Sequence, residues 1–436
     1  MKTLILAVVR SALLILTCFS PLVLAQSKPN IVLIVSDDLG YNDLSSYGSK
    51  EIKTPNIDSI ARDGIKLMQA YANGSVCTPT RAALMTGRYQ QRYGFDWVIT
   101  NRDQEKGLSA KEPSLPRMLK NNGYVTGAFG KWHLGFKPEY SPNAHGFDEF
   151  FGFLASDLDY YSHRDSSGDL GLYENGQVIE KPGYLTDLIS ERAVSFIDQH
   201  KRTPFFLYVP FNAPHWPYQA PNRPQDIRDK NTYGPRNGNR ADYIQMVQQM
   251  DFGVGRILQA LENAGVAKNT LVIFTNDNGG ERFSDNSPFF HGKYTVWEGG
   301  IRVPCLMKWP GNLPKGTVSN QPLITMDITA TLLSVAGVTQ ALSPNLDGLN
   351  LMPILAGKQQ PIERTFFWRM AAAQGGQKAA RRGKWKYVRD TVELLFDLEN
   401  DPAERVNLSY RNPDKLLEMR QAVDEWEKEI KASSGN

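Results

Sequence analysis

Five apolar runs punctuate this chain, and four of them stop at residues that carry chemistry. Residues 30–36 run into Asp37-Asp38-Leu39-Gly40, and residues 124–129 into Gly130-Lys131-Trp132-His133-Leu134-Gly135. Residues 204–210 lead to Asn212-Ala213-Pro214-His215-Trp216-Pro217, and residues 271–275 to Asn276-Asp277-Asn278-Gly279-Gly280. Continuous apolar runs rich in β-branched residues read as strands buried on both faces, the habit of parallel sheets. The fifth run, 305–308, follows Trp297-Glu298-Gly299-Gly300 and its neighbours. Between the runs lie helical patterns at 55–63, 117–122, 184–200 and 242–265, the last with Val247, Met250, Val254, Ile257 and Leu261 in one stripe. Strands alternating with helices predict an α/β fold with a mainly parallel or mixed central sheet flanked by helices. Ligands bind such sheets beyond the carboxyl ends of the strands. Asp37, Asp38, Lys131, His133, His215, Asp277 and Asn278 are therefore expected to converge there. Lys131 and His133, two apart, are expected to project to one side of an extended segment.

From about residue 348 the texture changes to short alternating strands near 368–370, 380–388 and 393–398, then a helix from Pro413 to about Lys431. This predicts a small antiparallel sheet with a terminal helix. The chain accordingly divides into a catalytic α/β domain, 26–347, and a C-terminal subdomain, 348–436. The basic run 378–386 reads as an edge or hairpin with a solvated face. Residues 1–25 have the form of a secretory signal peptide: Lys2 and Arg10, an apolar stretch, then Val23-Leu24-Ala25. That predicts an exported protein, periplasmic or secreted, or lysosomal or extracellular in a eukaryotic host. The apolar stretch is too short and interrupted for stable membrane insertion. Formal charge is +3 over the 436 residues, and removing Lys2 and Arg10 with the signal leaves +1. A near-neutral chain gives no reason to expect a nucleic-acid partner.

The stretch Gly74-Ser75-Val76-Cys77-Thr78-Pro79-Thr80-Arg81 reads as a loop feeding a helix, with Thr78 as N-cap and Pro79 in the first turn. Cys77 then sits at the positive end of the helix dipole with Arg81 one turn on, a setting that attracts anions and activates a nucleophile. The plainer alternatives are a buried structural cysteine or a bridge to Cys305. Asp37, Asp38, Asp277 and Asn278 offer oxygen ligands, which favours a hard cation, calcium before magnesium, over zinc.

Cys-x-Pro-x-Arg followed by Thr86-Gly87-Arg88 resembles the signature of the type I sulfatases, in the alkaline phosphatase-like superfamily. The resemblance covers nearly the whole chain after the signal. It implies that Cys77 is oxidised to formylglycine by a formylglycine-generating enzyme and that its hydrated aldehyde attacks sulfur. It further implies a metal held by Asp37, Asp38, residue 77, Asp277 and Asn278. Arg81 orients the nucleophile in that family pattern, while Lys131 and Lys293 hold sulfate oxygens. His215, with Lys293, protonates the leaving group, and His133 takes the proton that releases sulfate. Ser156 is a further sulfate contact. His163, Arg164 and His291, with Trp97 and Arg102, are candidate substrate-recognition residues, suited to a sulfated carbohydrate. Two alternatives stand beside this reading: a phosphonate monoester hydrolase or phosphodiesterase of the same superfamily, and a non-catalytic relative that binds sulfated glycans.

Overall fold

The computed structural model describes residues 28–223, 237–339, 345–371 and 376–433; the expected signal peptide lies outside them. The first half contains β1 (Asn30–Ser36), α1 (Pro55–Arg62), β2 (Ile65–Tyr71), α2 (Cys77–Thr86), α3 (Leu115–Asn121), β3 (Val125–Lys131), β4 (Glu149–Phe153), β5 (Tyr173–Glu174), β6 (Gln177–Val178), α4 (Leu185–His200) and β7 (Phe205–Pro210). The second half contains α5 (Arg240–Asn263), β8 (Thr270–Asn276), α6 (Glu298–Ile301), β9 (Arg302–Lys308), β10 (Thr317–Ser319), β11 (Leu323–Ile324) and α7 (Thr325–Val335). It ends with α8 (Met352–Leu355), β12 (Thr365–Arg369), β13 (Lys378–Arg382), β14 (Trp385–Arg389), β15 (Glu393–Asp397) and α9 (Pro413–Ser433).

The large sheet has the order β10-β2-β9-β8-β1-β7-β3-β4-β5-β6, with β11 also on β2. The five strands expected from the apolar runs are adjacent at its middle. β8, β1, β7, β3 and β4 form a parallel block, whereas β9 is antiparallel to β8 and β2. All seven β1 residues are buried. Ile31, Leu33 and Val35 pack with Leu84 of α2, Leu119 of α3 and Leu332 of α7. Val32 and Ile34 face Ile60 of α1, Phe196 of α4 and Met250 of α5 on the other side. Two apolar faces explain why this strand lacks polar alternation.

Several elements had no distinct sequence signal. β2 mixes Lys66 and Gln69 into its apolar residues, β4 is only five residues long, and α7 carries four threonines or serines. Two local expectations are corrected. α2 begins at Cys77, with extended Val76 as N-cap, so Thr78 is inside the helix. The Thr78 hydroxyl instead donates to the carbonyl of His133 and accepts from the Ile99 N–H, both at 3.1 Å. His133 has φ +60°, so the backbone after Lys131 is not extended and the shared-face argument fails there.

The small sheet β12-β13-β14-β15 is antiparallel throughout, with α9 packed on it: Met419 and Val423 meet Tyr387 and Leu395. Its other face joins the main body through Phe366, Trp368 and Phe396 against Tyr71 and Ile301. The basic hairpin is not a solvated face. Lys386 is fully buried, its Nζ 2.8 Å from Glu298 and 3.0 Å from Glu404. Glu298 also accepts from Tyr71 and Arg302, at 2.7 and 3.0 Å, and Arg381 donates to the Tyr71 hydroxyl at 2.6 Å. Burial alone would push Glu298 up, but Lys386, Arg302 and Arg381 outweigh it and hold the carboxyl down at about 2.

Removing one partner of a buried ionic cluster strands the others, so Lys386→Ala is expected to cost about 3–5 kcal/mol in denaturant unfolding. The deficit should shrink from pH 8 to pH 5, because without the lysine the glutamates can take protons and shed the uncompensated charge. A pH-independent loss would point to packing instead.

Candidate active site

Register assembles the acidic half of the site. β1 and β8 pair in parallel with Ser36 opposite Asn276, so the next residues, Asp37-Asp38 and Asp277-Asn278, leave the sheet side by side. Asn276 ties the two ends together: its carbonyl oxygen accepts from the Ser36 hydroxyl at 2.8 Å and the Leu39 N–H at 3.3 Å, while its amide donates to the Leu39 carbonyl at 2.8 Å. Asp38 has φ +63°, a conformation Asp tolerates better than most residues. Asn278 donates to Asp38 at 2.7 Å.

The basic half comes from four other places. Arg81, on α2, donates from Nε and Nη2 to Asp277 Oδ2 at 3.0 and 2.8 Å and from Nη1 to the Lys131 carbonyl at 2.9 Å. Lys131, at the end of β3, places Nζ 2.6 Å from Asp37 Oδ2 and 3.4 Å from Cys77 Sγ. The close passage of β3 and β7 requires glycine before it: a Cβ on Gly130 would lie 1.9 Å from the Pro210 carbonyl oxygen. Lys293 reaches Asp38 Oδ2 at 2.7 Å. His215, beyond β7, has Nε2 3.5 Å from the same oxygen. Its Nδ1 lies 2.6 Å from the Trp216 carbonyl, which makes Nδ1 the protonated nitrogen and leaves Nε2 facing the carboxylate.

Every one of these side chains is buried, so mutual charge decides their states. Burial pushes Asp38 up, yet Lys293 and His215 more than offset it and hold it below the usual carboxylate range. Burial and Asp37 push Asp277 up. Burial works against protonated Lys131 and Lys293, but the carboxylates beside them keep both above the ordinary lysine value. His215 and His133 are driven well down, by burial first and Lys131 second. Burial, Asp277 and Asp37 also push the Cys77 thiol well up, so the unmodified side chain is no thiolate. The helix-dipole expectation for Cys77 fails because burial, followed by those neighbouring carboxylates, outweighs the helix end.

The donor set fits a hard cation. Ligand atoms of Asp37, Asp38, Cys77 and His215 lie within 4.8 Å of one another. Asn278 Oδ1 is buried with no hydrogen-bond partner among the described residues, a free oxygen beside two carboxylates. His215 joins this cluster; Asp277 Oδ2 is held by Arg81, while its Oδ1 lies 3.5 Å from the Asp38 nitrogen. Cys77 and Cys305 are both free, so no bridge joins them.

His133 lies just behind this cluster, with Nε2 2.8 Å from the Ile99 carbonyl and Nδ1 buried without a partner among the described residues. Of the expected recognition residues, Trp97 packs against Tyr294, the residue after Lys293, with ring centroids 5.9 Å apart. Ser156 donates to Asp157. His163 is buried, and Arg164 donates to the Gly168 carbonyl at 2.9 Å. His291 is exposed and its ring rests on Phe290, 3.9 Å between centroids. Arg102 is exposed. Tyr160, just before His163 and Arg164, has its hydroxyl 3.0 and 2.8 Å from the carbonyl oxygens of Asn212 and His215. Glu281, three residues beyond Asn278, was missed; its carboxyl lies 3.7 Å from Lys293 and is pushed up to about 7 by burial and by Asp38. A glutamate after Gly279-Gly280 carries no signal in one sequence.

Comparison with known proteins shows the family. The sulfatase family model matches residues 29–338, and a model described as N-sulphoglucosamine sulphohydrolase, C-terminal, matches 288–432. N-acetylgalactosamine-6-sulfatase of Mus musculus is 33% identical over 93% of this chain and 87% of its own. Arylsulfatase A of Bos taurus is 33% identical over 92% and 88%. The crystal structure of Ps i-CgsB in complex with k-i-k-neocarrahexaose superposes with a TM-score of 0.84 at 34% identity, covering 92% of this chain and 93% of that one. A phosphonate monoester hydrolase of Agrobacterium radiobacter has a TM-score of 0.67 at 22% identity, which is a likeness of fold. The chain belongs to the sulfatase family and is a sulfuric ester hydrolase of alkaline phosphatase-like fold.

Proposed function

We propose that this protein hydrolyses sulfate esters on a carbohydrate. The observation that carries the reading is the burial of Cys77, Arg81, Lys131, His215 and Lys293 around the Asp37-Asp38-Asp277-Asn278 cluster at the carboxyl ends of β1, β3, β7 and β8. Relatives named for N-acetylgalactosamine-6-sulfate and a neighbour bound to k-i-k-neocarrahexaose support a sugar substrate. Residues 26–347 would carry the reaction and 348–436 would form the C-terminal subdomain. The chain would be exported after loss of residues 1–25; no helix among the described residues is long and apolar enough to cross a membrane.

Residue 77 would reach its active form through a formylglycine-generating enzyme. A bound calcium ion, with magnesium the alternative, would be held by Asp37, Asp38, residue 77, Asp277 and Asn278. Once both are in place, the modified side chain supplies the nucleophile and the cation offsets negative charge at its ligands and the sulfuryl group. Arg81, fixed by Asp277 and the Lys131 carbonyl, orients the residue-77 side chain. Lys131 and Lys293 hold sulfuryl oxygens, exchanging their present carboxylate contacts for the substrate anion. His215 Nε2 delivers a proton to the leaving oxygen; an arriving sulfate counters the two lysines that depress this ring. His133 Nδ1, neutral and unpartnered, is the proton acceptor for the step that frees sulfate. Ser156 is a further sulfate contact in this scheme, and His163, Arg164 and His291 belong to the surrounding recognition surface.

Co-expression with a formylglycine-generating enzyme, followed by sulfate release from sulfated oligosaccharides, tests the proposal. Cys77→Ala should abolish release, and mass spectrometry should find the aldehyde at residue 77 only in the parent. Cleavage of phosphonate monoesters without any sulfate release would favour the phosphonate monoester hydrolase alternative. Chelation should remove activity, with calcium restoring more of it than magnesium. His215→Ala should lower kcat by about 10²–10⁴ on a sugar sulfate. The loss should be much smaller on nitrophenyl sulfate, whose phenolate departs without a proton. Equal losses on both substrates would remove His215 from the proton-donor role.

A further inference from the structure

An aromatic pair stands beside the cluster in a place the reaction scheme leaves unused. Trp97 and Tyr294 approach with ring centroids 5.9 Å apart and planes inclined by 37°. Tyr294 follows Lys293 directly, and the Lys293 ammonium lies 5.2 Å from the Tyr294 ring centre. Its hydroxyl is within electrostatic reach of Lys293, Glu281, Asp38 and Cys77. Even so, 40% of the residue is exposed, and Trp97 is half-buried. The pair therefore sits where the buried charges meet solvent.

Both rings are held by their backbones. Tyr294 donates its N–H to the Ser75 carbonyl at 3.0 Å, two residues from Cys77. Its φ is +71°, unfavourable for a bulky side chain and a mark of positions where function rather than stability chose the residue. On one side of Trp97, Asp96 receives two bonds of 2.9 Å from Arg369. On the other, Ile99 is bonded to Thr78 through its N–H and to His133 through its carbonyl. Trp97 is thus tied to α2 and to a proposed catalytic histidine.

We infer that Trp97 and Tyr294 form a stacking platform for the sugar ring that bears the scissile sulfate. The inference rests on the carbohydrate sulfatase reading above and adds where the sugar lies. A pyranose has an apolar face of C–H groups, and rigid aromatic side chains give large contact area at low entropic cost. With the sulfate oxygens held by Lys131 and Lys293, a ring leaning on Tyr294 would direct its ester oxygen toward His215. His163 and Arg164 do not serve this role, the first being buried and the second engaged with Gly168.

The test is steady-state sulfate release from a sulfated oligosaccharide by the matured enzyme and three variants. Tyr294→Gly deletes the ring while suiting φ +71°; Tyr294→Phe keeps the face without the hydroxyl; Trp97→Ala removes the second ring. Tyr294→Gly and Trp97→Ala should each raise KM about tenfold or more with a smaller change in kcat, and Tyr294→Phe should stay near the parent. Thermal unfolding identifies a variant that fails to fold, in which case the Phe variant and its partner at the other ring decide. Unchanged KM in both ring deletions overturns the platform while leaving the sulfatase reading intact. A loss in Tyr294→Phe equal to that in Tyr294→Gly also overturns it, assigning the effect to the hydroxyl. A parent that releases sulfate from nitrophenyl sulfate and from no sugar overturns the carbohydrate reading, and the platform with it.

Discussion

Three carboxylates buried at one sheet edge cannot stay charged without compensation, and the molecule is arranged around that fact. Asp37, Asp38 and Asp277 are all at most 1% exposed. They face Arg81, Lys131 and Lys293 at salt-bridge distances of 2.6–2.8 Å. Such a balance is no argument for stability, since desolvating six charges offsets most of their attraction. It is an argument for function. The two lysines rest on carboxylates that a cation would otherwise neutralise, so in the proposed reaction cation and substrate anion would enter as a matched exchange, the metal taking the carboxylates and the sulfate the lysines. Neither arrival needs to leave an uncompensated charge in the interior.

That exchange depends on backbone register more than on side-chain fit. The parallel pairing of Ser36 with Asn276 sets Asp37-Asp38 beside Asp277-Asn278, and Asn276 fastens the two turns. A slip of one residue would turn every side chain of β1 to the opposite face and move the carboxylates out of reach. The same coupling carries the C-terminal sheet. Glu298, between the Lys293 loop and β9, is buried against Lys386 of β14 and donates its backbone N–H to the Glu404 carboxylate. The subdomain thereby helps fix the loop that brings Lys293 to Asp38.

Much of this was legible in the sequence because the strands are buried on both faces. The apolar runs of β1, β7 and β8 are read directly, and their polar ends follow from where α/β sheets bind ligands. The register could not be read, since seven apolar residues look alike in any pairing. β2 was invisible because Lys66 and Gln69 are partly exposed and break its pattern. Lys386 misled for the opposite reason: a lysine in a basic run normally faces water, and its partners lie 88 residues before it and 18 after it in the chain. The chemistry of Cys77 was the furthest from residue-level reasoning. A helix start predicted an activated thiol, whereas burial and then the carboxylates around it raise the thiol pKa. The family resemblance, not dipole physics, pointed to a modified side chain, and the structure removes the reason to expect a reactive thiolate.

The histidines show how one environment can prepare two opposite tasks. Both rings are buried, both are depressed by Lys131, and both use a backbone carbonyl to fix which nitrogen carries the proton. They differ in what the free nitrogen meets. His215 Nε2 faces Asp38 beside Lys293, and in the proposed reaction its proton affinity would rise as the substrate anion neutralises the lysines. His133 Nδ1 meets no partner among the described residues, and burial first, with the charge of Lys131 and Arg81 behind it, keeps the ring neutral. A group whose affinity rises with substrate is suited to carrying a proton in, and one held neutral throughout is suited to taking a proton away. The division of labour follows from position relative to the two lysines, with no intrinsic difference between the rings.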